Sequence, residues 1–183
     1  MTKILGIMGS PRKNGNTDVL VSKILEGAQG AGATTEKIFL VDLTIKECDG
    51  CHSCWKGNEC NKLDDMNNLY PKIIESNILI FGTPVYWYGP TALLKLFLDR
   101  FVYFNSPENR EIIKEKSAIL VVPFEEDNLK TAEPLIIMFE KSFEYLNLPI
   151  IDTIIVPGVT KRGEVSKKEG IMKKCYDVGQ KLG

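Results

Sequence analysis

The amino-acid sequence predicts an α/β protein built on a doubly wound, five-stranded parallel sheet. Short continuous apolar runs, typical of strands buried on both faces, alternate with segments of helical periodicity, and a long polar loop follows the first run. The 183 residues suit one domain, and no internal repeat or low-complexity linker divides them. We therefore expect a single domain over residues 1–183.

Composition and charge exclude several classes of protein. Charged residues make up 26% of the chain and apolar residues 44%, which is the balance of a globular protein and not of a disordered one. The formal net charge of −1 provides no basic surface for nucleic acid. The longest apolar runs fall far short of the roughly 18 residues that a membrane helix needs. We expect a cytoplasmic protein that binds neither nucleic acid nor a membrane.

The first strand and the loop after it form a candidate phosphate site. A strand is predicted over residues 3–8, a polar loop over residues 9–17 and a helix over residues 18–30. The N-terminus of a helix carries free amides and partial positive charge, so this loop can hold a phosphate. The side chains expected to help are Ser10, Arg12, Asn16 and Thr17. A plain turn with an N-cap is the simpler interpretation, but the loop is longer than a cap requires.

A dense group of cysteines follows the second predicted strand, residues 33–41. Four of the five cysteines fall within residues 48–60: Cys48, Cys51, Cys54 and Cys60. Zinc sites usually use two separated CxxC pairs, whereas closely repeated CxxC steps let thiolates reach different irons of one cluster. We interpret the four as ligands of a [4Fe-4S] cluster. A zinc site and structural or redox-active thiols remain open alternatives.

The other thiol and the only histidine are given structural interpretations. Cys175 lies on a predicted C-terminal helix and is expected to be a small buried residue. His52 lies between two candidate ligands, and we expect it to be a solvated loop residue. Disulfides are not expected in a cytoplasmic protein.

An aromatic loop follows the third predicted strand, residues 77–82. Ligands bind at the carboxyl ends of strands in open α/β sheets, and aromatic rings there can flank a planar ligand. Three consecutive aromatic residues cannot all point into the core, so at least one should face a ligand or a partner chain. The residues expected at the ligand are Pro84, Val85, Tyr86, Trp87, Tyr88 and Gly89.

The rest of the chain continues the alternation of strands and helices. Helices are predicted over residues 63–75, 91–104 and 131–146 and from residue 163 onward, and strands over residues 117–123 and 149–156. This alternation predicts a flavodoxin-type sheet of order 2-1-3-4-5. The helix over residues 91–104 is apolar around nearly its whole circumference, which predicts a homodimer or homotetramer.

Four features together resemble one known family. They are Gly9-Ser-Pro-Arg12 after the first strand, the cysteine series ahead of Asp64-Asp65-Met66, Pro84-Val85-Tyr86, and Leu94-Lys95 running to Asp99-Arg100. In order and spacing they resemble the NADPH-dependent FMN reductase superfamily, and within it the iron-sulfur flavoproteins of anaerobic prokaryotes. The resemblance implies FMN with its phosphate at Ser10, Arg12, Asn16 and Thr17 and its isoalloxazine bordered by residues 84–88.

The resemblance also implies a function. It implies a redox flavoprotein in which FMN and a [4Fe-4S] cluster exchange electrons, so that a two-electron reactant communicates with a one-electron carrier such as ferredoxin. No catalytic acid or base is required. Two alternatives remain open: an NAD(P)H-dependent FMN or quinone reductase without a cluster, and a flavin electron carrier without turnover of its own. The chain departs from the family at residues 123–127, where Pro-Phe-Glu-Glu-Asp replaces a glycine-rich loop.

Overall fold

The computed structural model describes the whole chain, from Met1 to Gly183, and contains one five-stranded sheet in which all paired strands are parallel. The strands are β1 (Lys3–Met8), β2 (Thr34–Phe39), β3 (Ile78–Gly82), β4 (Ser117–Pro123) and β5 (Ile150–Val156). Their order across the sheet is β2-β1-β3-β4-β5. The predicted fold class and strand order are confirmed, and the fold is flavodoxin-like.

Six α-helices connect and follow the strands. They are α1 (Asn16–Gly30), α2 (Met66–Glu75), α3 (Ala92–Asp99), α4 (Pro107–Lys114), α5 (Glu133–Leu146) and α6 (Glu169–Gln180). Short 3-10 segments cover Leu40–Asp42, Cys54–Lys56, Arg100–Asn105, Leu129–Ala132 and Glu164–Lys167. None of the helices has both the length and the apolar composition that crossing a membrane requires.

Helices cover both faces of the sheet, and each face has its own apolar core. One face packs against α1 and α6, and the other against α2, α3, α4 and α5. Phenylalanine rings dominate the second core: Phe81, Phe97, Phe101, Phe104, Phe139 and Phe143. The central strands β1, β3 and β4 are almost wholly buried, whereas the edge strands β2 and β5 are partly exposed. Double-sided burial explains why the central strands are continuous apolar runs.

The predicted α-helix over residues 91–104 is wrong in its second half. α3 ends at Asp99, and Arg100–Asn105 continue as a 3-10 helix. Phe101 and Phe104 are both buried and lie three residues apart. A 3-10 helix has three residues per turn, so it places both rings on the face that meets the core.

Helix α4 was not predicted, although its start signals are present. Ser106 is the N-cap and accepts a hydrogen bond from the Asn109 amide, and Pro107 occupies the first helical position. The last helix also differs, since it begins at Glu169 and not at Gly163. Gly163 has φ of +70°, a left-handed conformation that interrupts a helix.

The helix predicted over residues 63–75 begins at Met66 because two carboxylates hold the chain before it. Asp65 accepts a hydrogen bond from the Thr44 amide at 2.7 Å, and Asp64 accepts one from the Lys46 amide at 2.8 Å. These aspartates therefore attach residues 64–65 to the segment after β2. All remaining boundaries agree with the sequence-based prediction within two residues.

Candidate functional site

The loops after β1, β3, β4 and β5 surround a cleft of about 140 Å³ at the carboxyl edge of the sheet. Seven of the ten residues predicted to bind FMN line it: Ser10, Arg12, Asn16, Thr17, Pro84, Val85 and Tyr86. Trp87, Tyr88 and Gly89 lie outside it; Trp87 and Tyr88 border a second hollow beside Glu126 and Thr131. The cleft is thus formed by the two loops that the sequence indicated and by two further ones.

Several lining residues were missed by sequence reasoning. They come from the loops after β4 and β5 and are Pro123, Phe124, Glu125, Val159, Thr160 and Arg162. The predicted sheet topology could have indicated these two loops, because all parallel strands of a sheet end at the same edge. Arg162 is a second arginine, in addition to Arg12, among the residues that line the cleft.

The aromatic loop is a tight turn whose tip faces solvent. Tyr86 and Gly89 exchange backbone hydrogen bonds of 2.8 and 3.0 Å, and the two residues between them have φ of +49° and +62°. Positive φ at both central positions is the pattern of a type I′ turn. The side chain at the first of these positions, Trp87, is 97% exposed. Its ring therefore does not point into the core, and contact of one of the three aromatics with a ligand or a partner chain stays a prediction.

The loop after β1 is anchored at Gly9, between β3 and α3. The Gly9 amide donates to the Gly82 carbonyl at 2.8 Å, and the Thr91 hydroxyl donates to the Gly9 carbonyl at 2.5 Å. A Cβ at position 9 would lie 2.8 Å from the Leu94 Cβ. Glycine is required there because the loop and α3 approach so closely.

The N-terminus of α1 opens into the cleft without a side-chain cap. Gly15 is the N-cap and offers no side-chain hydrogen bond, so the first-turn amides lack a capping partner. Thr17 lies in this turn, and Ser10 lies beside it with its hydroxyl accepting from the Arg12 amide at 3.2 Å. Free amides, hydroxyls and a guanidinium together form an arrangement that suits a phosphate.

Asn16 joins this helix terminus to the loop after β5. Its side-chain amide donates to the Lys161 carbonyl at 3.0 Å, and its side-chain oxygen accepts from the Val165 amide at 3.1 Å. Glu164 shapes the same loop by accepting from the Lys161 amide at 2.6 Å. The carboxamide that was predicted to bind phosphate is thus engaged in positioning the loop that carries Arg162.

Asp18 stabilises the conformation of the loop after β1. Its buried carboxylate accepts from the Asn14 amide at 2.7 Å, from the Ser22 hydroxyl at 3.1 Å and from Lys37 Nζ at 2.6 Å. Burial alone would raise the pKa of Asp18, but the hydrogen bonds from Lys37 and Asn14 outweigh it and hold the pKa below its usual value. The loop conformation therefore depends on a charged carboxylate.

The four clustered cysteines meet around one small pocket of about 20 Å³. Cys48, Cys51, Cys54 and Cys60 all line it, and all are free thiols. Burial raises the pKa of Cys54, and the nearby Cys60, Cys48 and Cys51 raise it further. No three side chains of the His, Cys, Asp and Glu types are arranged to hold a single metal ion. The structure thus brings the predicted set together around a shared space.

Two other predictions around the thiols can be compared with the structure. His52 is exposed, has φ of +57° and packs on Trp55 with ring centroids 4.1 Å apart. Cys175 is fully buried in the core formed with α1, and burial raises its pKa to about 11. The predictions of a loop histidine and a buried apolar cysteine are confirmed.

A buried ion pair lies beneath the cysteine loop. Arg100 Nη1 donates to Asp64 Oδ2 at 2.5 Å, and the two side chains are 1% and 0% exposed. Burial would raise the pKa of Asp64, but Arg100 and the Lys46 amide lower it below its usual value. Nη2 of the same guanidinium donates to Cys60 Sγ at 3.2 Å. The sequence indicated Arg100 only as part of a family motif.

Comparisons with known proteins agree with this geometry. The family model described as NADPH-dependent FMN reductase matches residues 2–148. An iron-sulfur flavoprotein of Methanocaldococcus jannaschii is 40% identical over 98 residues, which are 54% of this chain and 51% of that protein. A Bacillus subtilis protein named as an NAD(P)H-dependent FMN-containing oxidoreductase is 30% identical over 150 residues, 80% of each chain. The chain spans about half the length of the iron-sulfur flavoproteins that it matches.

Solved structures share the fold at low sequence identity. An NAD(P)H:quinone oxidoreductase from Methanothermobacter marburgensis superposes with a TM-score of 0.75 at 16% identity, covering 100% of this chain and 99% of that one. The Trp repressor binding protein from Bacillus subtilis superposes with a TM-score of 0.69 at 24% identity, covering 98% and 96%. These likenesses establish the architecture of the sheet and helices.

Replacing Asp18 by Asn tests the contribution of its charge. We expect the free energy of unfolding at pH 7 to fall by about 1–3 kcal/mol, because Lys37 and the Asn14 amide lose a charged acceptor. The folded-state pKa of Asp18 lies below the unfolded value of about 3.8, so its contribution is present above that pH and is lost as the pH falls through the folded pKa. Urea unfolding at pH 7, 5 and 3 should show the difference shrinking at pH 3.

Asp177→Asn is the matched control for this measurement. Asp177 pairs with Lys173 on the exposed side of α6, where an ion pair contributes only about 0–1 kcal/mol. Equal stabilities of the wild-type protein and the Asp18 variant at pH 7 would contradict the assigned role.

Proposed function

Because the chain belongs to the NADPH-dependent FMN reductase family, we propose that it is an oxidoreductase of the iron-sulfur flavoprotein type, in which FMN and a [4Fe-4S] cluster exchange electrons. The observation that carries the proposal is the meeting of four free thiols around one pocket, in a chain whose sheet edge also forms a polar cleft. When bound, FMN takes up one or two electrons and the cluster takes up one at a time.

The residues of the cleft fit FMN by their chemistry. Arg12 and Arg162 supply positive charge, and the uncapped N-terminus of α1 with Thr17 supplies hydrogen-bond donors for the phosphate. Residues 84–88 border the isoalloxazine in this proposal, with Pro84, Val85 and Tyr86 lining the cleft itself. Phe124 and Val159 are buried and limit the access of water. Asn16 holds the loop of Arg162 in place and is assigned no direct contact.

The spacing of the cysteines and the names of the relatives support a cluster over a single ion. Closely repeated CxxC steps are typical of cluster ligands, and several relatives are named iron-sulfur flavoproteins. The loop has the necessary turns, since Gly50 and Gly57 have φ of +68° and +78°. Cys48, Cys51, Cys54 and Cys60 would be the ligands.

A second candidate function is an NAD(P)H-dependent FMN or quinone reductase without a cluster. It is favoured by the Bacillus subtilis relative, which matches 80% of both chains and whose name mentions FMN but no iron. In that case the thiols would be structural or redox-active. The redox partner is proposed to be a small molecule or a ferredoxin-type carrier in the first case and a small molecule in the second.

Self-association is also proposed, with a homodimer or homotetramer as the assembly. α3 buries Leu94 and Phe97, while Leu93, Leu96 and Leu98 remain partly accessible. The nearby turn adds the exposed rings of Trp87 and Tyr88. Apolar surface of this kind favours contact with a second chain, which would lie close to the cleft.

Sedimentation at micromolar concentration tests the assembly. We expect a dimer or tetramer, and we expect Trp87→Ala with Tyr88→Ala to weaken it, because both rings lose their contact area. Tyr145→Ala, which removes an exposed ring on α5, is the control. A monomeric wild-type protein would remove the proposal.

The phosphate site is tested by comparing FMN with riboflavin, which lacks the phosphate. We expect Arg12→Ala combined with Thr17→Val to lower FMN affinity about tenfold or more, since each charge-assisted hydrogen bond contributes roughly 1.5–3 kcal/mol. Valine keeps the buried methyl group of Thr17, which packs beside Gly82. Riboflavin affinity should stay unchanged, and both are measured by fluorescence titration.

Arg162→Ala should have the same selective effect if the loop after β5 contributes to the phosphate site. Lys174→Ala, which removes one positive charge from the exposed side of α6, is the control for net charge. Equal losses for FMN and riboflavin would count against the assignment of this loop and helix terminus.

The cysteine assignment is tested by iron and sulfide content after anaerobic reconstitution. Cluster ligands act as a set, so replacing any one of the four loop cysteines by Ala should sharply lower bound iron. Cys175→Ala should not, because this thiol is buried on the other face of the sheet. FMN should remain bound in every variant, since the cleft lies on other loops. Reconstituted wild-type protein with FMN but without iron would support the second candidate function.

A further inference from the structure

The guanidinium of Arg100 connects the cysteine pocket to the core. It lines the pocket, is 1% exposed, and makes three contacts: Asp64 Oδ2 at 2.5 Å, the Lys46 carbonyl at 2.9 Å and Cys60 Sγ at 3.2 Å. A buried guanidinium needs an acceptor for its donors, and here a sulfur atom is one of them. The contact to Cys60 is therefore part of how this side chain is satisfied.

The four thiols are not equivalent in their surroundings. Cys51 Sγ accepts from the neutral Asn61 amide at 3.9 Å and lies close to the exposed pair of Asp49 and Lys62, and the Cys54 thiol itself donates to the Val102 carbonyl at 3.8 Å. Only Cys60 receives a hydrogen bond from a charged side chain. This asymmetry marks Cys60 as the thiol that meets a buried charged donor, whereas the charges near Cys51 are exposed to solvent.

We propose that Arg100 is a positioning residue for Cys60 that raises the reduction potential of the cluster by donating a hydrogen bond to this ligand sulfur. The inference rests on the proposed function, because it assumes that Cys60 is a cluster ligand. Reduction adds negative charge to the cluster, and a donor aimed at a ligand sulfur stabilises the reduced form more than the oxidised form.

The ion pair with Asp64 limits the distance over which the charge of Arg100 acts. The carboxylate offsets the net charge of the guanidinium, so the long-range field of Arg100 is small. The directed N–H···S hydrogen bond remains, and burial strengthens it because water does not compete. The effect should therefore be local to the cluster and should not extend to the flavin cleft.

The surrounding structure fixes the position of Arg100. The residue begins the 3-10 segment after α3, and the buried rings of Phe101 and Phe104 anchor that segment in the core. The Tyr70 hydroxyl donates to the Arg100 carbonyl at 3.3 Å. Asp64 is held in turn by the amides of Lys46 and Met66. The donor therefore meets the sulfur in a fixed geometry.

The test is a redox titration of anaerobically reconstituted protein, with the cluster followed by electron paramagnetic resonance and FMN by absorbance. We expect Arg100→Met combined with Asp64→Asn to shift the cluster potential to more negative values and to leave the FMN potential unchanged. The double substitution removes both charges together, so no unpaired charge remains in the core. Arg100→Lys keeps the charge but not the planar fork, and we expect a smaller shift in the same direction.

Arg110→Met is the matched control. Arg110 is a partly buried arginine of α4 that contacts Asn105 and the Tyr145 ring and lies outside the cysteine pocket. The inference would be overturned if the wild-type protein and both Arg100 variants bound iron and had the same cluster potential. It would also be overturned if the cluster and FMN potentials shifted equally. Wild-type protein without iron would instead refute the proposed function, which separates the two failures. If the double variant does not fold, the Arg100→Lys comparison decides.

Discussion

Parallel pairing of the strands is the constraint on which both candidate sites depend. Parallel strands all end at one edge of the sheet, so the loops after β1, β3, β4 and β5 are brought together there. Close packing on both faces of β1, β3 and β4 keeps the strands in register, because a one-residue shift would move every side chain to the opposite face and disrupt both apolar cores. Residues as far apart in the chain as Asn16 and Lys161 can therefore form a hydrogen bond.

α3 joins the two sites mechanically. At its start, Thr91 accepts from the Leu94 amide and donates to the carbonyl of Gly9 in the loop after β1. Directly after its end, Arg100 contacts Cys60. The eight residues of this helix extend about 12 Å at 1.5 Å per residue. The loop after β1 and the loop that carries the four clustered cysteines are thus attached to opposite ends of one short rigid element.

The sequence predicted those parts of the structure that depend on local pattern. The strands follow from apolar runs, and the meeting of the cysteines follows from their spacing in one loop. Prediction from the sequence failed where tertiary contacts determine the local structure. The end of α3 depends on the packing of Phe101 and Phe104, and the partners of Arg100 lie 36 to 54 positions away in the chain. The turn tip at Trp87 places an aromatic residue at positive φ, which residue preferences disfavour.

The family match ends at residue 148, before β5 begins at Ile150. The loop after β5 nevertheless brings Thr160 and Arg162 to the cleft, where a hydrogen-bonded asparagine of α1 holds it. The matched region therefore includes the loops after β1, β3 and β4 but not the arginine that the loop after β5 adds to the cleft lining. In this chain, the part that establishes family membership and the part that completes the cleft are not the same.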